Sequence, residues 1–293
     1  MKFQSLLPFP ILALAILLGL SNRGSAQILQ TADNFAILSG SGSVSNTGNT
    51  QIDGNVGSST SVSGFPPGII TVNGSPATPI TGGSTLQAEL DLIKAENGLS
   101  AMASTATETG VDLGGLILKP GVYTFADVAT LNGILTLDAN NQSNAVWVFQ
   151  IGSSLNTSLN SAVVLENAPG GGSSAGIYWD AMAAITIGAG STTLGNYLAG
   201  TSITLNGNDS GMGGRLLSQA AVTISSASTL NSTGDPGVDG YDHGLMYNGS
   251  GQVVPALSAS VPEPAAFLWL APLGALGIAF WRRRQTVMGP LVA

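Results

Sequence analysis

The stretch of residues 185–224, ITIGAGSTTLGNYLAGTSITLNGNDSGMGGRLLSQAAVTI, decides the fold because it repeats itself. Three apolar-Thr-apolar segments begin 18 and 19 residues apart: Ile185-Thr186-Ile187, Ile203-Thr204-Leu205 and Val222-Thr223-Ile224. A second pair, Gly195–Ala199 and Gly214–Ser218, is also displaced by 19 residues. Two features that repeat at one period predict a solenoid whose coils stack as parallel strands about 4.8 Å apart.

The alternation within each segment assigns its faces. The apolar residues should point inward and the Thr outward, with Gly and Asn at corners that need unusual backbone angles. We assign Leu135-Thr136-Leu137 and Val163-Val164-Leu165 to the same strand type at looser spacing, with insertions between coils.

A covered strand and a helix are predicted upstream of the repeat. Val146–Ile151 is apolar on both alternating faces apart from Gln150, which indicates a strand covered on its outer side. The helix predicted over Thr85–Ala103 can supply that cover. We expect its apolar stripe to face the strands and its charged residues to lie off the stripe; the stripe is Leu86, Leu90, Ile93, Leu99 and Met102, and the charged residues are Glu89, Asp91, Lys94 and Glu96.

The composition excludes several classes of function. Only 8% of the 293 residues are charged and none is cysteine, so disulfides, thiolate metal sites and Cys nucleophiles are excluded. Between Gln27 and Ser260, three basic residues (Lys94, Lys119 and Arg215) against fifteen acids leave a net charge of −12. Nucleic acid is therefore not an expected partner, because duplex binding needs clustered Lys and Arg.

The N-terminus reads as a secretory signal peptide. Lys2 precedes an apolar run over Ile11–Leu20, and Gly24-Ser25-Ala26 supplies small residues where signal peptidase cleaves. The alternative is an uncleaved N-terminal anchor. We predict a signal peptide at 1–26, a solenoid domain at 27–252, a spacer at 253–260, a sorting signal with a transmembrane helix at 261–285 and a short tail at 286–293.

The C-terminus carries three features in order. Pro262-Glu263-Pro264 precedes the uncharged stretch Ala265–Trp281, which is followed by Arg282, Arg283 and Arg284. This arrangement resembles the PEP-CTERM sorting signal of Gram-negative bacteria. The resemblance implies recognition by an exosortase, passage to the cell surface or extracellular matrix, and at least transient anchoring by the apolar helix with the arginines on the cytoplasmic side. An ordinary single-span anchor is the alternative.

Residues suited to catalysis are few, so we expect no enzyme, no cofactor and no metal. His243 is the only histidine, and no Gly-x-Ser-x-Gly motif precedes a helix. A carbohydrate-active enzyme would need an acidic cleft containing Lys119 or Arg215. The loop with Asp235, Asp239 and Asp242 matches no calcium-binding motif. Calcium bound by its carboxylate oxygens stays an alternative.

Two outward rows are candidate binding surfaces. The first, five residues after each inner Ile or Leu, has Thr192, Ser210 and Thr229, with Gly190, Asn208 and Ala227 beside them. The second has Thr186, Thr204 and Thr223. Small side chains with hydroxyls and methyls offer water many weak, ordered positions and little charge to reorganise it. Such a surface could match a crystal of water, although Thr is also simply favoured on exposed strands.

Taken together, Gln27–Leu230 resembles the microbial ice-binding-like family. The segments that carry the resemblance, in chain order, are Ala32–Gly40, Ile52–Gly57, Gly64–Gly68, Leu113–Gly115 with Leu118–Tyr123, Ala145–Gly152 and Gly195–Leu205. The family implies an all-β fold: a discontinuous right-handed parallel β-solenoid, triangular in section, with one long α-helix packed alongside.

The resemblance also implies a function, which is adsorption to ice through one flat face and inhibition of ice growth and recrystallisation. The resemblance further implies a four-residue pattern on the flat face of active members: Thr, then Ala or Gly, then any residue, then Thr or Asn. In this chain Ala189, Gly207 and Ser226 stand in place of the first Thr, and Asp209 adds a charge. A structural or adhesive matrix protein on the same fold is the alternative, with extracellular polysaccharide as its partner.

Overall fold

The computed structural model describes residues 27–172, 174–207, 211–225, 228–231 and 240–256. Across these ranges the chain is mostly β-strand, with one α-helix at Leu86–Ser100. Short 3-10 segments lie at Gln30–Asn34, Gly82–Thr85 and Pro169–Gly172. The strands pair almost entirely in parallel and form three ladders around one apolar core, as the repeat predicts.

The helix-covered ladder lies under the α-helix. In spatial order its strands are Ala106–Thr107, Gly121–Phe125, Val146–Ile151, Gly176–Ala181, the second halves of Thr192–Ala199 and Gly211–Ser218, Phe35–Ser39, Asn55–Ser58 and Ile80–Thr81.

The Thr ladder follows it in each coil and has seven strands: Ala129–Leu131, Leu155–Thr157, Ile185–Ile187, Ser202–Leu205, Ala221–Ile224, Val44–Asn46 and Val62–Ser63. The third ladder contains Ile117–Leu118, Ile134–Asp138, Ala162–Glu166, the first parts of Thr192–Ala199 and Gly211–Ser218, Thr229–Asn231, Gln51–Asp53 and Ile69–Val72, with Ser75–Pro76 as an antiparallel hairpin arm.

The order of the coils differs from the order of the chain. The first strand, Phe35–Ser39, pairs with Gly211–Ser218, and Val44–Asn46 pairs with Ala221–Ile224. The two N-terminal coils therefore stack beyond the last C-terminal coil. The solenoid is discontinuous, as the resemblance implies.

Inward side chains of successive coils lie directly above one another, so the core is a set of stacked rows. One row is aromatic: Tyr123, Phe149, Trp179 and Tyr197 occupy one register position. The Phe149 and Trp179 rings stack with centroids 3.9 Å apart, and Trp179 and Tyr197 with centroids 5.6 Å apart. Aromatic stacking adds to the stabilisation from buried area.

The helix covers its ladder as predicted, but with a different face. Its buried apolar side chains are Ala88, Leu92, Ala95 and Leu99, which pack with outward residues such as Val148. Of the predicted stripe, Leu99 is buried and Met102 packs against these residues, whereas Leu86, Leu90 and Ile93 are exposed. Two residues predicted to lie off the stripe, Asp91 and Glu96, are buried. The small Ala side chains let the helix approach the sheet closely. Asp91 accepts hydrogen bonds from Thr31 and Gln87, and Glu96 accepts one from Gln219.

Two upstream strands lie on a different ladder from the one predicted. Leu135–Leu137 and Val163–Leu165 pair with each other in the third ladder, whereas Ala129–Leu131 and Leu155–Thr157 stack under Ile185–Ile187. Ala129–Leu131 and Leu135–Leu137 both alternate apolar and polar residues, so this alternation alone does not distinguish the ladders.

The C-terminal part of the body ends in an antiparallel hairpin of Leu245–Tyr247 and Val253–Pro255. Val253 is buried among the residues under the helix. The first three residues of the predicted spacer, 253–255, therefore belong to a strand of the fold. The predicted signal peptide, Pro262-Glu263-Pro264, the apolar stretch after it and Arg282 to Arg284 lie outside the described residues. Among the residues that are described, no helix is long and apolar enough to cross a membrane.

Candidate functional site

The Thr ladder presents one continuous outward row. Its register aligns Thr186 with Thr204 and Thr223, as predicted. Pairing extends the row across all seven strands: Thr130, Asn156, Thr186, Thr204, Thr223, Ser45 and Ser63. Each carries a hydroxyl or an amide, and the flanking inward residues such as Ile203 and Leu205 are buried.

The positions on either side of this row are mostly small or polar; the exceptions are Val128, which is exposed, and Phe65, which packs against the core. Two residues before it lie Val128, Ser154, Ala184, Ser202, Ala221, Ser43 and Ser61; two residues after it lie Asn132, Ser158, Gly188, Asn206, Ser225, Thr47 and Phe65. None of these side chains is charged. Since strands are about 4.8 Å apart, the ladder gives evenly spaced, uncharged rows roughly 29 Å long.

The first candidate row is aligned differently from the prediction. Thr192 is in register with Gly211, so Ser210 does not hold the position assigned to it. The corner after Leu205 is one residue longer than the corner after Ile187, which shifts the register. Ser210, Asn208 and Ala227 lie outside the described residues, and Gly190 sits at a corner with φ +70°.

The third ladder, which carries Thr192 and Thr229, is less even than the Thr ladder. Its outward side chains include the exposed Ile69, Ile134 and Val164. A depression of about 230 Å³ opens beside Thr229, lined also by Gln51, Ile52, Asp53, Ile69 and Thr71. Protruding branched side chains next to a depression and a carboxylate make this ladder a poorer match to a planar surface.

Comparison with known proteins gives the family. The ice-binding-like family model matches residues 37–230. An ice-binding protein of Nostoc sp. (strain HG1) is 38% identical over 264 residues, which cover 89% of this chain and 88% of the relative. An ice-binding protein of Flavobacterium frigoris (strain PS1) is 32% identical over 211 residues, covering 67% and 73%. The chain belongs to the ice-binding-like family.

A solved structure agrees with this membership. The crystal structure of an ice-binding protein from the Antarctic ascomycete Antarctomyces psychrotrophicus superposes with a TM-score of 0.64 at 32% identity, covering 71% of this chain and 98% of that one. A PEP-CTERM protein-sorting motif matches residues 260–284. The ice-binding-like domain and the sorting motif are therefore adjacent in one chain.

The ice-binding-like domain also holds a buried ionic cluster that no sequence pattern predicts. Arg215, 5% exposed, forms ion pairs with Asp33 and with Asp242, the latter at 3.2 Å. Its guanidinium also donates to the carbonyl oxygens of Asp33 and Gly240 and to Asn196 Oδ1. These partners are far apart in sequence, so no local motif could have revealed the cluster.

The cluster contains two of the candidate functional residues named above, His243 and Asp242. His243 Nδ1 lies 3.0 Å from Asp242 Oδ1. Burial alone would raise the pKa of Asp242, but contacts with His243 and Asp33 and the charge of Arg215 hold that pKa well below its usual range. Burial raises the pKa of Asp33 to about 7, against the charge of Arg215. Asp242 thus serves as the structural counter-ion of Arg215, and its loop closes on the solenoid through this pair.

Neither the calcium nor the enzyme hypothesis gains support from the described geometry. Within the described ranges, no group of three His, Asp or Glu side chains could hold a metal ion, and Asp235 and Asp239 lie outside those ranges. Lys119 pairs with Asp138 at the surface, 2.5 Å away, while Arg215 is buried in its cluster.

Proposed function

We propose that this protein binds ice through the Thr ladder and thereby inhibits ice growth and recrystallisation. The observation that carries the proposal is the uncharged outward surface of seven in-register strands centred on Thr186, Thr204 and Thr223. We infer from the family the right-handed winding of the solenoid. The function is adsorption without a reaction or a cofactor.

The physical basis is the ordering of water on an even surface. Hydroxyls along the row repeat at the strand spacing, and Ser45 Oγ lies 3.5 Å from Thr223 Oγ1 on the next coil. The Thr methyl groups beside these hydroxyls form no hydrogen bonds. Few strong protein–water hydrogen bonds therefore compete with the hydrogen bonds between waters. A charge would orient water around itself, so the absence of charged side chains from the rows of the seven strands favours contact with a lattice. The carboxylate of Asp112, which bridges to Thr130, lies beyond one end of the row.

The Thr ladder therefore replaces Thr192, Ser210 and Thr229 as our preferred ice-binding face. Thr192 and Thr229 lie on the third ladder, whose exposed Ile69 and Ile134 stand above the plane of the strands. We keep that ladder as the matched control surface, since it belongs to the same coils.

We infer the route of the protein from its ends. The signal peptide at 1–26 would direct export and be removed by signal peptidase, and an exosortase would then recognise Pro262-Glu263-Pro264. The apolar segment and Arg282–Arg284 would hold the chain at the inner membrane until that step. The mature domain then acts at the cell surface or in the extracellular matrix of a Gram-negative bacterium.

A structural or adhesive role on the same fold is the second candidate. The exposed apolar side chains of the third ladder favour it, because such surfaces often mark contacts with other molecules. Extracellular polysaccharide would be the partner in that case.

The deciding experiment observes single ice crystals held just below melting in the presence of the purified protein, with an inert protein of equal size as the control. We expect faceted crystals, arrested growth and inhibited recrystallisation. Unaltered crystals in a correctly folded sample would reject ice as the ligand and favour the adhesive role.

A further inference from the structure

The contact between the helix and the solenoid contains a carboxyl with an unpartnered oxygen. Glu96 is 8% exposed and its Oε2 accepts a hydrogen bond from Gln219 Nε2. Its Oε1 is buried and has no hydrogen-bond partner among the described residues. Asp91, the other buried acid on this helix, differs because the backbone N–H and hydroxyl of Thr31 and the amide of Gln87 all donate to it.

A second buried carboxyl lies one helical turn away. Asp180, 4% exposed, points outward from the strand Gly176–Ala181 and accepts a hydrogen bond of 2.8 Å from Ser100 Oγ. Ser100 follows Glu96 by four residues, so their side chains are neighbours on one helix face. We call Glu96, Ser100, Asp180 and Gln219 the carboxyl seam. Two acids from facing elements thus share one buried strip.

Among the residues that the structure describes, no Lys or Arg forms an ion pair with either acid of the seam. The Lys and Arg residues between Gln27 and Ser260 are Lys94, Lys119 and Arg215. Lys94 Nζ lies 4.0 Å from the centre of the Tyr247 ring, Lys119 pairs with Asp138, and Arg215 pairs with Asp33 and Asp242. Among the described residues, the Ser100 hydroxyl donates to Asp180 and the Gln219 amide donates to Glu96. The Gln150 side chain, in register with Asp180, donates instead to the carbonyl oxygens of Leu99 and Met102. Two ionised carboxylates would therefore stand in low dielectric without a counter-charge, which is costly.

We propose that the carboxyl seam is a proton-binding latch, in which protonated Glu96 and Asp180 hold the helix against the solenoid and their ionisation loosens it. A proton on Glu96 turns the unpartnered oxygen into a hydroxyl or leaves it as a neutral carbonyl. Either form is far less costly to bury than a carboxylate.

The expected pH dependence follows from the direction of the pKa shifts. Burial raises the pKa of Glu96 to about 7, partly opposed by the bond from Gln219, with the charge of Asp180 acting in the raising direction. Burial also raises the pKa of Asp180 to about 7, against the bond from Ser100. The folded state therefore holds protons that the unfolded chain releases, so this contribution to stability is complete at low pH and is lost as pH rises through 7.

The test compares thermal unfolding of the full protein at pH 6 and pH 8.5 with that of the Glu96→Gln/Asp180→Asn variant. We expect the midpoint of the wild type to fall by about 5 °C between the two pH values and that of the variant to fall by clearly less. Asp33 contributes equally to both proteins, so the difference between them isolates the seam. The matched control, Asp127→Asn/Glu166→Gln, removes two exposed acids and should retain the wild-type pH dependence.

A second measurement does not depend on the stability of the variant. The infrared spectrum of the wild type at pH 6 should contain a carboxylic-acid C=O band that disappears at pH 8.5 and is reduced in the single variant Glu96→Gln. Absence of that band, or equal pH dependence in the wild type and the seam variant, would overturn the proposal. Recovery of the midpoint at pH 8.5 by calcium chloride in the wild type alone would show that the seam binds a metal ion instead and would also overturn it.

Discussion

Replacing Thr204 by tyrosine tests which ladder meets the ice. Thr204 lies on the fourth of seven strands of the Thr ladder. A tyrosine ring extends beyond the Thr methyl by more than the roughly 2.8 Å between hydrogen-bonded oxygens. An ice plane resting on the ring is therefore lifted from Thr186 and Thr223 on the adjacent strands.

The size of the effect follows from the dimensions of the ladder. Seven strands and the five residue positions across the rows cover roughly 29 Å by 13 Å, or about 380 Å². Ice that settles to one side of the ring, instead of spanning it, still touches roughly three of the seven strands, about 160 Å². If about half of the lost area is apolar, at about 25 cal/mol per Å² adsorption weakens by about 3 kcal/mol, which exceeds a hundredfold.

The assay measures thermal hysteresis and recrystallisation for Thr204→Tyr and for its matched control Thr192→Tyr, which places the same ring on the third ladder. Both positions are outward, so unfolding midpoints should stay close to the wild type. We expect activity to be lost in Thr204→Tyr and kept in Thr192→Tyr. The reverse result would assign the ice-binding face to the third ladder, and loss in both would refute a single-face site.

Three further predictions concern the framework behind the face. Arg215→Met should leave Asp33 and Asp242 without their cation and lower the free energy of unfolding, measured by chemical denaturation, by about 3–5 kcal/mol. The control Lys119→Met breaks an exposed ion pair and should lower it little. Equal losses in the two variants would contradict the role of burial. Trp179→Ala should lower the free energy of unfolding by about 3–5 kcal/mol, because the ring is enclosed by Phe149 and Tyr197. If this loss is smaller than that of the surface control Met182→Ala, the aromatic row does not act as part of the core. Asp112→Ala should speed amide hydrogen exchange at Gly114 and Asn132, because their N–H groups donate to the Asp112 carboxylate. The unfolding midpoint should change little. Unchanged exchange would show that water replaces the carboxylate as the acceptor of these hydrogen bonds.

The periodic features of the fold could be predicted from the sequence, because a repeat of 18 to 19 residues fixes which side chains stack. Thr186, Thr204 and Thr223 are a direct consequence. Ser210 was misplaced because a corner can gain a residue without altering the strands on either side. Counting five residues from Leu205, as from Ile187 to Thr192, gives Ser210, whereas the residue that pairs with Thr192 is Gly211.

Features that depend on distant partners could not be predicted. The helix has apolar residues on two faces, and the choice of the Ala88 and Leu92 face over Leu86 and Leu90 depends on the shape of the ladder beneath it. Burial of Glu96 depends on Gln219, more than a hundred residues away. The Arg215 cluster likewise joins residues near both ends of the body.

The discontinuous stacking constrains when this protein can fold during its export. Phe35–Ser39 emerges early from the membrane, yet its partner strand is Gly211–Ser218. Until that partner arrives, the leading coils expose unpaired strand edges, which are prone to association with other chains. Sequence-distant pairing of this kind also makes folding slow. The solenoid can thus close only after nearly all of its body has crossed, so the completed fold itself reports that translocation of the domain is finished.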